Sequence, residues 1–169
     1  KDAPEAYGAL LAFDTGPANA PMDDLMAQRG LGHFDQGGAL ARQGRVDEAG
    51  VAEFMLDGYF HRMPPKSLDR GAFSYLTEAV SGLETPDALA TLAACAAASV
   101  ARGLEHFRVE PERILVTGGG RHNAALMAQV AQRTGLPVAP VETVGLNGDA
   151  LEAQAFAYLA IRVAKGLPT

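Results

Sequence analysis

The stretch Ile114-Leu115-Val116-Thr117-Gly118-Gly119-Gly120 constrains the fold more than any other part of the chain. A short aliphatic run bounded by a turn signal reads as a buried strand, expected over Arg113 to Thr117. Three glycines follow it at once, and then Ala124 to Arg133 carries helical spacing. Val138 to Val141 is a second strand candidate a few residues further on. Strand, helix and strand at this spacing form a crossover unit, so the two strands should lie parallel. Glycine adopts backbone angles that other residues avoid and lets a ligand approach the main chain closely. A helix N-terminus beyond such a loop offers free N–H groups and the positive end of the helix dipole. Three consecutive glycines exceed what a tight turn needs, so we read Gly118, Gly119 and Gly120 as ligand contacts.

The rest of the chain fits a helix-rich α/β arrangement. Gly8 to Phe13 reads as a strand ending in the turn Asp14-Thr15-Gly16-Pro17. Helices are expected over Met22 to Arg29, Val46 to Leu56, Leu68 or Asp69 to Val80, Thr85 to Phe107 and Asp149 to Val163. Thr85 is expected to cap the fourth, with Pro86 in its first turn. The length of 169 residues suits one domain spanning 1–169, and a 48% hydrophobic share excludes disorder. Few aromatics (7%) and abundant alanine favour close-packed helices over an all-β sandwich. The apolar stretch Ala88 to Val100 is short and alanine-rich, so no membrane-spanning helix and no membrane partner are expected.

Charge and cysteine content narrow the partners. A net charge of −6 with no basic cluster argues against nucleic acid and anionic membranes. The lone Cys95 excludes a disulfide framework and suits a reduced, cytoplasmic setting. His33, His61, His106 and His122 fall at spacings that match no zinc site, so no metal-ligand set is assigned. The chain opens on Lys1-Asp2-Ala3-Pro4 without a starting Met, which leads us to expect a piece of a longer protein.

Three further segments carry chemistry. Asp14 stands at the end of a strand before a Gly turn, where α/β proteins bind ligands, and a carboxylate there suits a general base. The same Asp-Thr-Gly also fits a plain Asx turn onto Gly16. Asn147-Gly148-Asp149-Ala150-Leu151-Glu152 places Glu152 in a first helical turn facing the same crevice, although Asp149 and Glu152 also have capping-box spacing. Lys66 and Arg70 in Met63-Pro64-Pro65-Lys66-Ser67-Leu68-Asp69-Arg70 could meet phosphates, but solvated loop charges are the preferred reading.

Taken together, Phe13 to Asn19, Asp35-Gln36-Gly37-Gly38-Ala39, Pro64 to Ser67, Gly118 to Asn123 and Gly148 to Ala157 resemble the anhydro-N-acetylmuramic acid kinase family in content and order. The resemblance implies the C-terminal lobe of an actin/hexokinase-like (ribonuclease-H-like) sugar kinase, with that lobe's opening strands missing. It implies ATP and Mg²⁺ as cofactors and an amino sugar, 1,6-anhydro-N-acetylmuramic acid, as partner. It further implies a homodimer and a place in cell-wall recycling. By resemblance Asp14 is the base and Glu152 helps place water or sugar. Gly16, Gly118, Gly119, Gly120 and Asn123 would line the nucleotide site. The family's Gly-Thr-Ser-x-Asp-Gly phosphate loop is absent, Ala18 stands where Gly is common, and Leu68-Asp69 replaces Thr-Gly. Turnover by this chain alone is therefore not expected. A non-catalytic nucleotide- or sugar-binding module, or a ligand-free helical interaction protein, are the competing readings.

Overall fold

A computed structural model describes residues 11–167. Its organising element is the helix α4, Thr85–Leu104, whose residues 88–97 are all buried. Alanine on every side lets neighbouring elements approach the helix axis, and a helix apolar all round belongs in a core. By length and composition α4 could cross a membrane, which corrects the expectation drawn from Ala88 to Val100; 72% burial of its most apolar window makes it the core helix here. Glycine carries the closest approaches. A Cβ on Gly16 would collide with Ser99, and one on Gly103 would stand 2.6 Å from Thr15 Cγ2. Residues 13–16 are thereby laid directly on α4.

Two other helices pack on α4: α5, Ala124–Thr134, and the short α2, Glu48–Phe54. The helix α1, Ala20–Gln28, is pinned to the start of α4 by Arg29, which donates to Thr85 Oγ1 and to the Leu83 carbonyl, both at 2.9 Å. Next to α2 an aromatic cluster closes the core. Phe60 stacks on Phe73 with centroids 5.8 Å apart and meets Phe54 edge-on at 4.9 Å.

The expected parallel pair is present. Strand β1, Ile114–Val116, pairs in parallel with β2, Val138–Pro140, matching Ile114 to Val138 and Val116 to Pro140. Helix α5 makes the crossover, stopped by Gly135 in the left-handed conformation at φ +70°. The last helix, α6, Leu151–Ala164, leaves Phe156, Tyr158, Ile161 and Val163 exposed.

Four expectations change. Helix formation over 69–80 reduces to α3, Leu76–Ala79. Phe73, Leu76 and Val80 do have helical spacing, but 69–76 run through successive tight turns, such as Ser74 N–H to the Gly71 carbonyl. Gly71 sits in the middle, and glycine is a poor helix former. Thr85 is not the cap of α4: Glu84 holds that position in extended geometry, while Thr85 accepts from Arg29. Helix α6 starts at Leu151, and its cap residue Ala150 supplies no side-chain bond, so Asp149 and Glu152 form no capping box. Of the strand expected over Gly8 to Phe13, residues 8–10 lie outside the described residues, and 11–13 have no regular structure.

Candidate functional site

Asp14 is exposed at the surface, and its backbone and side chain are both gripped by the loop that follows the aromatic cluster. The Asp14 N–H donates to the Lys66 carbonyl at 3.1 Å, and the Tyr59 hydroxyl donates to the Asp14 carbonyl. Asp14 Oδ2 accepts from the Leu68 N–H at 2.7 Å. The Asx-turn reading is thus replaced: the carboxylate bonds a segment 54 residues away. A charge-assisted bond of this kind fixes one carboxylate oxygen.

Lys66 stands above the Tyr59 ring, Nζ 4.6 Å from its centroid, and 5.8 Å from that of Phe13. Burial pushes its pKa below the ordinary lysine value, with Arg102 and Arg62 adding to the effect. Burial, and then the charge of Asp14, push the Tyr59 hydroxyl up. Arg70 pairs with Asp24 at 3.1 Å between exposed side chains, as the solvated-charge reading expects.

Asn19, five residues after Asp14, lies near the glycine loop. A Cβ added to Gly120 would lie 3.9 Å from Asn19 Oδ1, whose amide donates to Asp23 at 2.7 Å. Gly118 adopts φ +70° and ψ −173°, a region open in practice only to glycine. A Cβ at Gly118 or Gly119 would meet nothing within 4 Å, so both face open space. Gly120 is half-buried and backs onto Leu126. Asn123 turns inward: its Oδ1 accepts from the Leu126 N–H at 3.0 Å and caps α5. Gly38, at φ +69°, packs against that cap, bringing the Asp35-Gln36-Gly37-Gly38 turn to the same helix end. Asp35 is 6% exposed and accepts from the N–H groups of Leu40 and Ala41, which makes it the brace of that turn.

The loop before α6 is joined to the glycine loop as well. Thr117 Oγ1 and the Gly118 N–H both donate to the Gly148 carbonyl, at 2.8 and 3.3 Å. Arg121, its side chain only 5% exposed, donates to Glu142 Oε1 at 2.9 Å and to Asp149 Oδ1 at 2.8 Å. The Gly148 N–H shares Glu142 Oε1. Arg121 was absent from the sequence-based site because its partners lie 21 and 28 residues downstream. Its place directly after three glycines was the available signal.

The structure places three of the five sequence segments near the start of α5, with Gly38 against Asn123 and Asn19 near Gly120. It brings Asp14 beside Lys66 and Leu68, and Gly118 beside Gly148. Glu152 is exposed in the first turn of α6, and among the described residues no hydrogen bond or ion pair joins it to Asp14. Gly16 faces Ser99 of α4, so packing alone accounts for its lack of a side chain. Among the described residues no three His, Cys, Asp or Glu side chains gather into a metal cage.

Comparison with known proteins gives a consistent answer. The family model described as anhydro-N-acetylmuramic acid kinase matches residues 4–169. The chain is 61% identical over 168 residues to anhydro-N-acetylmuramic acid kinase 1 of Jannaschia sp. (strain CCS1), covering 99% of this chain and 45% of that protein. It is 62% identical over 167 residues to the anhydro-N-acetylmuramic acid kinase of Cereibacter sphaeroides, with the same coverages. With that of Ruegeria sp. (strain TM1040) it shares 56% over 170 residues, 100% of this chain and 45% of the relative. The chain thus spans a little under half the length of these curated relatives.

Proposed function

The chain belongs to the anhydro-N-acetylmuramic acid kinase family, and from that premise we propose that it forms the base-bearing, nucleotide-facing part of an enzyme that opens and phosphorylates an anhydro amino sugar with ATP. The observation that carries the reading is the open main chain of Gly118 and Gly119 ahead of α5, with Asn19 of the segment that holds Asp14 lying near Gly120. A sugar kinase needs little covalent help from its protein. It needs phosphates held and a nucleophile deprotonated.

The steps follow from the residues. A water oxygen attacks C1 of 1,6-anhydro-N-acetylmuramic acid and gives its proton to the free oxygen of the Asp14 carboxylate. The Leu68 N–H holds the other oxygen, so the base presents one face. The C1–O6 bond breaks, and its electron pair goes to O6. That oxygen attacks the γ-phosphorus of ATP, and the bond to the β-phosphate oxygen breaks to release ADP. The product is N-acetylmuramic acid 6-phosphate. Backbone N–H groups of Gly119 and Gly120 are suited to phosphate oxygens, since no side chain intervenes, while the Gly118 N–H is held by the Gly148 carbonyl. Glu152 orients the water or a sugar hydroxyl. Mg²⁺ bound with ATP would supply neutralisation of the phosphate charge.

Further parts of the reading are a cytoplasmic location, a homodimer, and no useful turnover by the 169-residue chain alone. The last follows because its sequence lacks the Gly-Thr-Ser-x-Asp-Gly loop expected to grip the phosphates. The test uses a family-length polypeptide carrying this chain, incubated with ATP and the anhydro sugar in oxygen-18 water. The expected product is a sugar phosphate with one heavy oxygen at C1 and none in the phosphate. Nucleotide binding without any sugar phosphate would favour a non-catalytic module instead.

A further inference from the structure

Arg121 touches both loops of the candidate site and is nearly sealed from solvent, at 5% exposure. Its three nitrogens each have an acceptor on a different residue. Nη1 donates to the Gly118 carbonyl at 2.8 Å, Nε to Glu142 at 2.9 Å and Nη2 to Asp149 at 2.8 Å. A planar guanidinium spreads its donors over three nitrogens in a fixed fork, whereas an ammonium presents its three donors from a single nitrogen.

Gly148 is part of the same arrangement. A Cβ there would stand 2.8 Å from both Arg121 Cζ and Glu142 Oε1, so the glycine leaves room for the guanidinium. The Gly148 N–H goes to Glu142 and its carbonyl receives Thr117 and Gly118. Two residues beyond Asp149, α6 begins, with Glu152 in its first turn. Gly118 itself adopts φ +70° and ψ −173°, a conformation open to glycine, and its carbonyl is fixed by Arg121.

We propose that Arg121 is a positioning residue that locks the glycine loop to the start of α6, so that the nucleotide contacts and Glu152 are set as one body. The proposal rests on the reading of Gly118 to Gly120 as nucleotide contacts. Arg121 does not itself touch substrate; it fixes the Gly118 peptide and the 142–149 loop.

The test attacks the lock from both sides in a family-length polypeptide carrying this chain. Arg121→Ala removes the guanidinium, and Gly148→Ala pushes a methyl group into it. A fluorescent ADP analogue reports nucleotide affinity directly. Each variant is expected to weaken binding about tenfold to hundredfold, the scale of a misplaced site. The double variant should be no weaker than the worse single, because both remove one shared arrangement. At saturating ATP, kcat should fall as well, because Glu152 loses its place at the start of α6, whereas a merely structural role would leave kcat of the folded variants unchanged. Arg121→Lys should recover part of the affinity at most. If Arg121→Ala does not fold, Gly148→Ala and Asp149→Asn carry the same test. Nucleotide affinity unchanged within about twofold in all folded variants, with only thermal stability reduced, overturns the positioning role while leaving the site reading intact. No nucleotide binding by the unaltered polypeptide overturns both.

Discussion

Gly118 and Gly119 stand side by side, both open to solvent, yet alanine should do different things at each. At Gly118 the added methyl meets no neighbour within 4 Å, so no clash is involved. The cost is the backbone itself: φ +70° with ψ −173° is strained for any residue with a Cβ, by about 1–3 kcal/mol. Gly119 has no positive φ and no neighbour within 4 Å. Alanine there should shift stability by no more than about 0.5 kcal/mol, with a small gain from the stiffer unfolded chain. Both variants put a methyl group where phosphate oxygens are proposed to lie. Gly119→Ala should therefore keep its urea midpoint while nucleotide affinity falls about tenfold, equivalent to 1.4 kcal/mol. Gly118→Ala should lose both stability and affinity. The reasoning is refuted in its steric part if Gly119→Ala binds nucleotide as tightly as the parent. It is refuted in its conformational part if Gly118→Ala is as stable as Gly119→Ala.

Other consequences can be checked by stability and reactivity measurements. Phe60, 1% exposed between Phe54 and Phe73, should cost about 3–5 kcal/mol on replacement by alanine, read as a lower unfolding midpoint. Burial pushes the Cys95 thiol up to about 12, so maleimide at pH 8 should label it only at the rate at which the protein opens. The Glu142 carboxyl is held below its ordinary range, first by its own backbone N–H, with the Gly148 N–H and Arg121 adding. A lowered folded value stabilises above the unfolded pKa of about 4.3 and is lost as pH falls below it. The melting temperature of Glu142→Gln should trail the parent at pH 7, and the gap should close in acid.

Local sequence signals located the elements that are set by local physics. The aliphatic run before three glycines is β1, and α5 begins at Ala124 as read, because Asn123 supplies an N-cap and Gly135 a stop. Of the segments that carry the family resemblance, the Gly38 turn packs on the Asn123 cap, Gly118 bonds Gly148, and Asp14 bonds the loop at Lys66 and Leu68. What remained hidden depends on distant partners. Arg121 takes its acceptors from the 142–149 loop, and Asp14 bonds the Leu68 N–H, a main-chain group that no side-chain pattern announces. Helical spacing in Phe73, Leu76 and Val80 misled because a series of tight turns can bury residues at the same interval. Asp149 looked like a cap, but a buried guanidinium made the stronger partner.

The measurement that bears most directly on the proposed chemistry compares Asp14→Asn with the parent in a family-length polypeptide. Asparagine keeps an oxygen for the Leu68 N–H, so the loop geometry should persist while the base is lost. Nucleotide affinity should stay within about twofold, and the rate of sugar phosphate formation should fall about 10²-fold or more, as for a removed general base. An Asp14→Asn enzyme that turns over at the parental rate would contradict the assignment of Asp14 as the base.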